Sequence, residues 1–177
     1  MALKDALGID RLLGPLRNLD LRSGGLATMS GALRMLDRRA TARPFEPFDA
    51  LEADVMRTLV ARLCRLEGDG APNVDLDVAV RTAETWVMTL PPDTSAMLRR
   101  LLVVWEYQPW LYGPRRAPFT RLSATEQDAN LLSWSQSESE SRLAMFGALR
   151  RLAMVGFWTQ SSTWTFLGYG GPTAGRA

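Results

Sequence analysis

Histidine is absent from this sequence, and cysteine occurs once, at Cys64. Histidine is the commonest general acid–base and transition-metal ligand among side chains. Without it, and with a single thiol, a His/Cys zinc site, a haem ligated by histidine and a Ser–His–Asp triad are all excluded. A single cysteine also rules out an internal disulfide, which suits a reducing compartment. Carboxylate-only metal sites stay open in principle, but no Asp/Glu cluster has the spacing of a metal-binding loop. Long apolar runs are missing as well. The longest, Leu152 to Trp158, falls far short of the roughly 20 residues that span a bilayer. No charged start followed by an apolar centre marks a secretory signal. Arg38-Arg39, followed by Ala40-Thr41-Ala42-Arg43-Pro44, is not a twin-arginine signal. The expected compartment is cytoplasmic, or periplasmic only by export with a partner.

A strong charge of one sign is lacking too. The formal net charge is +2, with basic and acidic residues interspersed. That is too small an excess for a nucleic-acid binder. The pairs Arg38-Arg39, Arg99-Arg100, Arg115-Arg116 and Arg150-Arg151 read as solvated helix faces. What remains is the composition of a globular chain: 177 residues, 46% hydrophobic and 23% charged, enough to bury a core without covalent staples.

Residues 1–42 read as an N-terminal arm. Leu3, Leu7, Ile9, Leu12, Leu13 and Leu16 form a loosely amphipathic helix stopped near Gly14-Pro15. Ser23-Gly24-Gly25 is a turn, and Ala27 to Leu36 forms a second short helix. Such an arm has too few large apolar residues to fold alone, so it docks on the main body or on another chain. A frayed terminus is the alternative.

Residues 43–177 read as a helical domain. Asp49 caps a helix whose Leu51, Val55, Met56, Leu59, Val60 and Leu63 recur at three- and four-residue steps, ended by the Gly68-to-Pro72 segment. A second helix starts near Asn73 or Asp75, with Leu76, Val80, Ala83, Val87 and Leu90 on one face. Pro91-Pro92-Asp93-Thr94 is a tight connection, with Asp93 or Thr94 capping the third helix (Leu98, Leu101, Leu102, Trp105). The short link predicts antiparallel packing of those two helices. Pro109 and Gly113-Pro114 should break the third helix. Ser123-Ala124-Thr125-Glu126 is a capping box for a fourth, carrying Ala129, Leu131, Leu132 and Trp134. Ser137 to Ser141 caps a fifth, with Leu143, Phe146, Leu149, Leu152, Ala153 and Phe157. A short helix or turn around Ser162 to Leu167 then leads into an irregular glycine/aromatic tail. No strand pattern appears. The expected fold is an all-α bundle of about five to six helices.

Most features that could carry chemistry have a simpler reading. Gly168-Tyr169-Gly170-Gly171 lacks the following helix and Lys-Ser/Thr of a phosphate loop. Asp49, Glu52 and Asp54, near Glu46, fall in a first helical turn, where acidic groups favour the helix dipole. Ser135, Ser137, Ser139 and Ser141 have no histidine to act as base. Cys64 lies between Leu63 and Leu66 and reads as a buried structural thiol. No catalytic residue, cofactor ligand or metal ligand is expected in this chain.

The aromatic residues point elsewhere. Only Phe45, Phe48 and Trp86 precede Trp105. Trp105, Tyr107, Trp110 and Tyr112 then fall at every helical angle, so one face cannot bury all four. With Arg115 and Arg116 following, the stretch reads as an interface or a ligand-channel wall. An unusually aromatic core is the alternative.

The C-terminal half resembles a known family. Phe119-Thr120-Arg121-Leu122 precedes a helix to Trp134. The arginine-bearing helix from Leu143 to Trp158 follows, and Trp164-Thr165-Phe166-Leu167-Gly168-Tyr169-Gly170-Gly171-Pro172 closes the segment. This order resembles the small subunits that accompany glucose–methanol–choline-type flavin dehydrogenases, the gluconate 2-dehydrogenase subunit 3 group. It is also similar to the helical segment preceding the flavin domain of long-chain alcohol oxidases. The likeness runs from Phe45 to Pro172 and is strongest after Phe119. Residues before it have no counterpart there. The resemblance implies a non-catalytic accessory subunit. It would bind and stabilise a large flavoprotein oxidoreductase acting on an alcohol, sugar or sterol-type substrate, with FAD held by the partner. Phe157, Trp158, Trp164, Phe166, Tyr169, Gly170, Gly171 and Pro172 would join the aromatic patch against that partner. A membrane-surface or apolar-ligand module using the N-terminal arm is the alternative. Peripheral membrane contact by the arm would be weak, since Lys4, Arg11, Arg17 and Arg22 are offset by Asp5, Asp10 and Asp20.

Overall fold

In the computed structural model the described residues are 47–65 and 72–170, with Ser30, Gly31, Leu33 and Arg34. Asp49 starts the first helix, α1 (Ala50–Leu63), through a reciprocal cap. Its carboxylate accepts from the Glu52 amide at 2.9 Å, and the Glu52 carboxylate accepts from the Asp49 amide at 3.1 Å. The face it sets in register buries Leu51, Val55, Met56, Leu59 and Val60. Asp75 caps α2 (Leu76–Thr89), accepting from the Asp77 and Val78 amides. Ser123 and Glu126 form the second capping box, at the start of α4 (Ala124–Ser135), and Ser139 caps α5 (Glu140–Trp158). A short α6 (Ser161–Phe166) follows. The fold is an all-α bundle, with no strand among the described residues.

The third helix departs from expectation at both ends. α3 (Pro92–Tyr112) is capped by neither Asp93 nor Thr94. Pro91 occupies the cap and Pro92 the first helical position, where a missing N–H costs nothing and the fixed φ suits the helix. At the other end, Pro109 does not break the helix. It sits in the last turn, so the bond it forfeits is local, and the chain stays helical to Tyr112. The Gly113 amide closes that turn on the Pro109 carbonyl at 2.7 Å. A Cβ on Gly113 would lie 2.4 Å from that oxygen, which leaves glycine as the residue that fits.

α3 runs through the centre. It touches α1, α2, α5 and the 3-10 turn Phe119–Arg121. Its buried positions therefore run all round the helix: Leu98, Leu101, Leu102, Val103, Val104 and Trp105. The expected α2–α3 pairing is a minor contact. α2 packs chiefly on α5 and α1, because Leu90 and Pro91 are extended and turn the chain away. Around Trp105, the rings of Phe119 (5.8 Å), Trp134 (4.9 Å) and Phe146 (6.3 Å) form an aromatic node. Trp105 is thus core, not interface, which corrects the sequence expectation.

The arm docks on this body where it is described. Leu33 belongs to the core, Ser30 is buried, and Arg34 pairs with both Asp49 (2.8 Å) and Glu52. The expected helix over Leu3 to Leu16, the 23–25 turn and the Arg38-Arg39 pair lie outside the described residues.

α5 approaches α2 closely at one point. A Cβ on Gly156 would stand 2.3 Å from the Ala79 carbonyl oxygen and 2.9 Å from its carbon. The obstacle is backbone, so the helices themselves would have to separate. Gly156→Ala is expected to cost about 1–3 kcal/mol as an overpacking change. Urea unfolding would measure it, and an unchanged midpoint would show that the helices are not in contact there.

Candidate partner interface

Two buried carboxylates organise the interior. Glu52 has no exposed surface, although its place in the first turn of α1 suggested only a dipole contact. The Arg99 guanidinium grips it, Nη2 to Oε2 at 2.6 Å and Nε to both oxygens at 3.0 and 3.1 Å. Arg99 also reaches the Pro47 carbonyl at 3.3 Å. It is buried, so the Arg99-Arg100 pair is not simply a solvated face. Glu106, equally buried, accepts from the Thr120 amide (3.0 Å) and hydroxyl (2.6 Å), which bolts the 3-10 turn onto α3. Both carboxyl groups serve architecture: each is matched by donors from another element, as burial of a polar group requires.

Cys64 ends α1 with its thiol buried. Burial pushes that thiol up to about 11, outweighing an opposing pull from Arg150. It is therefore protonated and a poor nucleophile at neutral pH. Because the folded value is raised, the associated stability is fully present below the ordinary thiol value of 9.0 and is lost as pH rises toward 11. Urea midpoints should fall across that alkaline window, and Cys64→Ala should flatten the decline. An identical slope in the variant would remove Cys64 as its cause. Among the described residues no group of three or more His, Cys, Asp or Glu side chains is placed to hold a metal ion.

The aromatic residues singled out in the sequence divide into three groups. Trp105 and Phe157 are core, with essentially no exposed surface. Phe157 was expected at the interface, but its position on α5 turns it inward with Leu149, Leu152 and Ala153. Tyr107 and Trp110 are half-buried against that core. Trp164 is half-buried as well, and Tyr112, Trp158, Phe166 and Tyr169 are exposed, at two separate places.

One surface lies where α3 ends. Tyr112 is exposed, as are Arg115 and Arg116. A groove of about 390 Å³ opens here, walled by Tyr112, Pro114, Leu122 and Trp134. The Arg142 guanidinium stands 5.2 Å from the centre of the Trp134 ring. Arg115 pairs with Glu126 at 2.8 Å. The Ser123 hydroxyl and amide, then Arg115, hold the Glu126 carboxyl down at about 2.

The other surface lies where α5 ends. Trp158 is exposed and packs edge-on against Phe157 at 4.7 Å. The Trp164 indole N–H donates to the Trp158 carbonyl at 2.5 Å. Gly168, at φ +69°, takes the left-handed conformation that glycine favours. The chain folds back there, so that the Tyr169 amide meets the Trp164 carbonyl at 2.9 Å and the two rings meet at 5.9 Å. Trp164 is half-buried, while Phe166, Leu167, Tyr169 and Gly170 are exposed. Gly171 and Pro172 lie outside the described residues.

These surfaces do not merge. Arg142 lines the first and Trp158 the second, at the two ends of α5. Sixteen helical steps separate them, a rise of about 24 Å. Sequence reasoning passed over Trp86, a half-exposed tryptophan on α2. Its signal was present: it falls beside Val87 and off the apolar face of its helix. No helix among the described residues is long and apolar enough to cross a membrane. No family model matches the sequence, and comparisons with curated proteins and with solved structures return no match.

Proposed function

We propose that this chain is a non-catalytic accessory subunit that binds and stabilises an FAD-dependent oxidoreductase acting on an alcohol, sugar or sterol-type substrate. The observation that carries this reading is the exposed aromatic end of the bundle. Trp158, Phe166, Leu167 and Tyr169 are each more than a third exposed on consecutive turns of one short segment. Large apolar side chains clustered at a surface mark contact with another polypeptide. The same segment supplies the Trp-x-x-Leu-Gly-Tyr order that resembles the small subunits of flavin dehydrogenases. FAD would belong to the partner. In this chain the buried carboxylates are engaged in packing and the thiol is buried and protonated.

The test is recovery of the complex. The full chain, tagged and purified from its source, should bring with it a stoichiometric second chain showing flavin fluorescence. A monodisperse lone chain, with no flavin in any fraction, would overturn the reading.

A further inference from the structure

α2 and α5 share a second face beside the one they bury. On α5, Gly147, Arg150, Arg151, Met154, Val155 and Trp158 recur every three or four residues. On α2, Val78, Arg81, Thr82, Thr85, Trp86 and Thr89 do the same. Each stripe rises about 16 Å, or about three turns. The two stripes wall one continuous groove, whose α5 side has a volume of about 700 Å³ and whose halves share Trp86, Val155 and Thr159. Met154, Val155, Trp86 and Trp158 make its apolar surface.

Three features say what the groove takes. Its charged residues are all arginines, Arg81, Arg150 and Arg151, and no aspartate or glutamate lines it. Arg150 and Arg151 make no hydrogen bond or ion pair among the described residues, unlike Arg57, Arg62, Arg99 and Arg115. The hydroxyls of Thr82, Thr85, Thr89 and Thr159 are all bonded to carbonyls of their own helices, so covering them leaves none unsatisfied. A shallow, apolar, basic-edged groove between two helices is a surface on which a third helix packs.

We infer that the α2–α5 groove docks an amphipathic helix of a partner protein. That helix is about three turns long, with apolar residues at i, i+3 or i+4, and i+7, and with carboxylates along its edges facing Arg150 and Arg151. Only the identity of the partner rests on the accessory-subunit reading above.

The test places p-benzoyl-phenylalanine at Thr85 in the full chain, expressed in its source, and maps the photo-crosslinked peptide. The expected product is a partner segment with that apolar spacing and at least two flanking carboxylates. Arg150→Glu with Arg151→Glu should cut its yield by about tenfold or more, as charge reversal in a matched interface does, without moving the thermal midpoint. Crosslinking to lipid, to this chain's own residues, to a second copy or to a non-acidic segment would overturn the inference, as would no crosslink. If a flavin-bearing chain co-purifies equally with the wild type and the double variant and no acidic helix is crosslinked, the groove inference fails and the accessory reading stands. If the acidic helix belongs to a chain without flavin, the groove inference stands and the flavin reading fails.

Discussion

Replacing Arg99 with alanine is expected to lower the unfolding free energy by about 3–5 kcal/mol, the loss seen when one partner of a buried ion pair is removed. The reason is what stays behind. Glu52 has no exposed surface and would be left without the guanidinium that now contacts both its oxygens. Arg34 and the Asp49 amide would still reach it, so the lower end of that range is the expected value. A double variant, Arg99→Met with Glu52→Leu, should lose much less than the sum of the two single changes, because neither charge is stranded. The exposed pair Arg57–Asp77 makes the internal control. Both side chains there are more than 40% exposed, and Arg57→Ala should cost at most about 1 kcal/mol. Urea unfolding of these five variants checks the ranking. An Arg99→Ala midpoint equal to that of Arg57→Ala would mean that the buried cluster contributes nothing special.

That cluster also shows where sequence reading stops. Apart from α3, the caps were legible: Asp49 and Ser123 singly, Asp75 as one of two candidates and Ser139 within Ser137 to Ser141, and each accepts a backbone N–H at its helix start. The apolar stripe of α1 was equally plain. Capping and periodicity are local, and both survive without knowledge of the neighbours. The surroundings of α3 are not local. Periodicity says which side chains share a face, but not how many elements surround the helix. α3 is enclosed by α1, α2, α5 and the 3-10 turn, so Trp105 and Arg99 both find buried partners at angles that its own sequence marks as different faces. The same ignorance of neighbours joined two surfaces into one. Tyr112 and Trp158 were read as a single aromatic patch, but α5 holds them at its opposite ends. Leu143 was read on the apolar face of α5 and is exposed, since that helix presents only part of its apolar residues to the core. Pro109 misled for a narrower reason: a proline in the last turn forfeits one bond near an end that is fraying anyway, which is too little to stop the helix.

Truncating Trp105 is the second large effect. Trp105→Ala should destabilise by about 3–5 kcal/mol, the range for deleting a buried large aromatic side chain. Its ring has no exposed surface, and it meets the rings of Phe119, Trp134 and Phe146 together. Removing it would leave a void bounded by three aromatic rings on the 3-10 turn, α4 and α5, which cannot all move inward at once. Trp105→Phe should behave differently. Among the described residues the buried Trp105 indole N–H meets no hydrogen-bond partner, and an unsatisfied buried donor costs about 1–3 kcal/mol. Phenylalanine removes that donor while keeping a ring in contact with its three neighbours. Part of the lost burial is thereby offset, and the net cost should be about 1–2 kcal/mol, well below that of alanine. Unfolding curves of the two variants separate the contributions of volume and polarity. If phenylalanine proves as damaging as alanine, the indole N–H is satisfied in solution, and the node depends on the full width of the tryptophan ring.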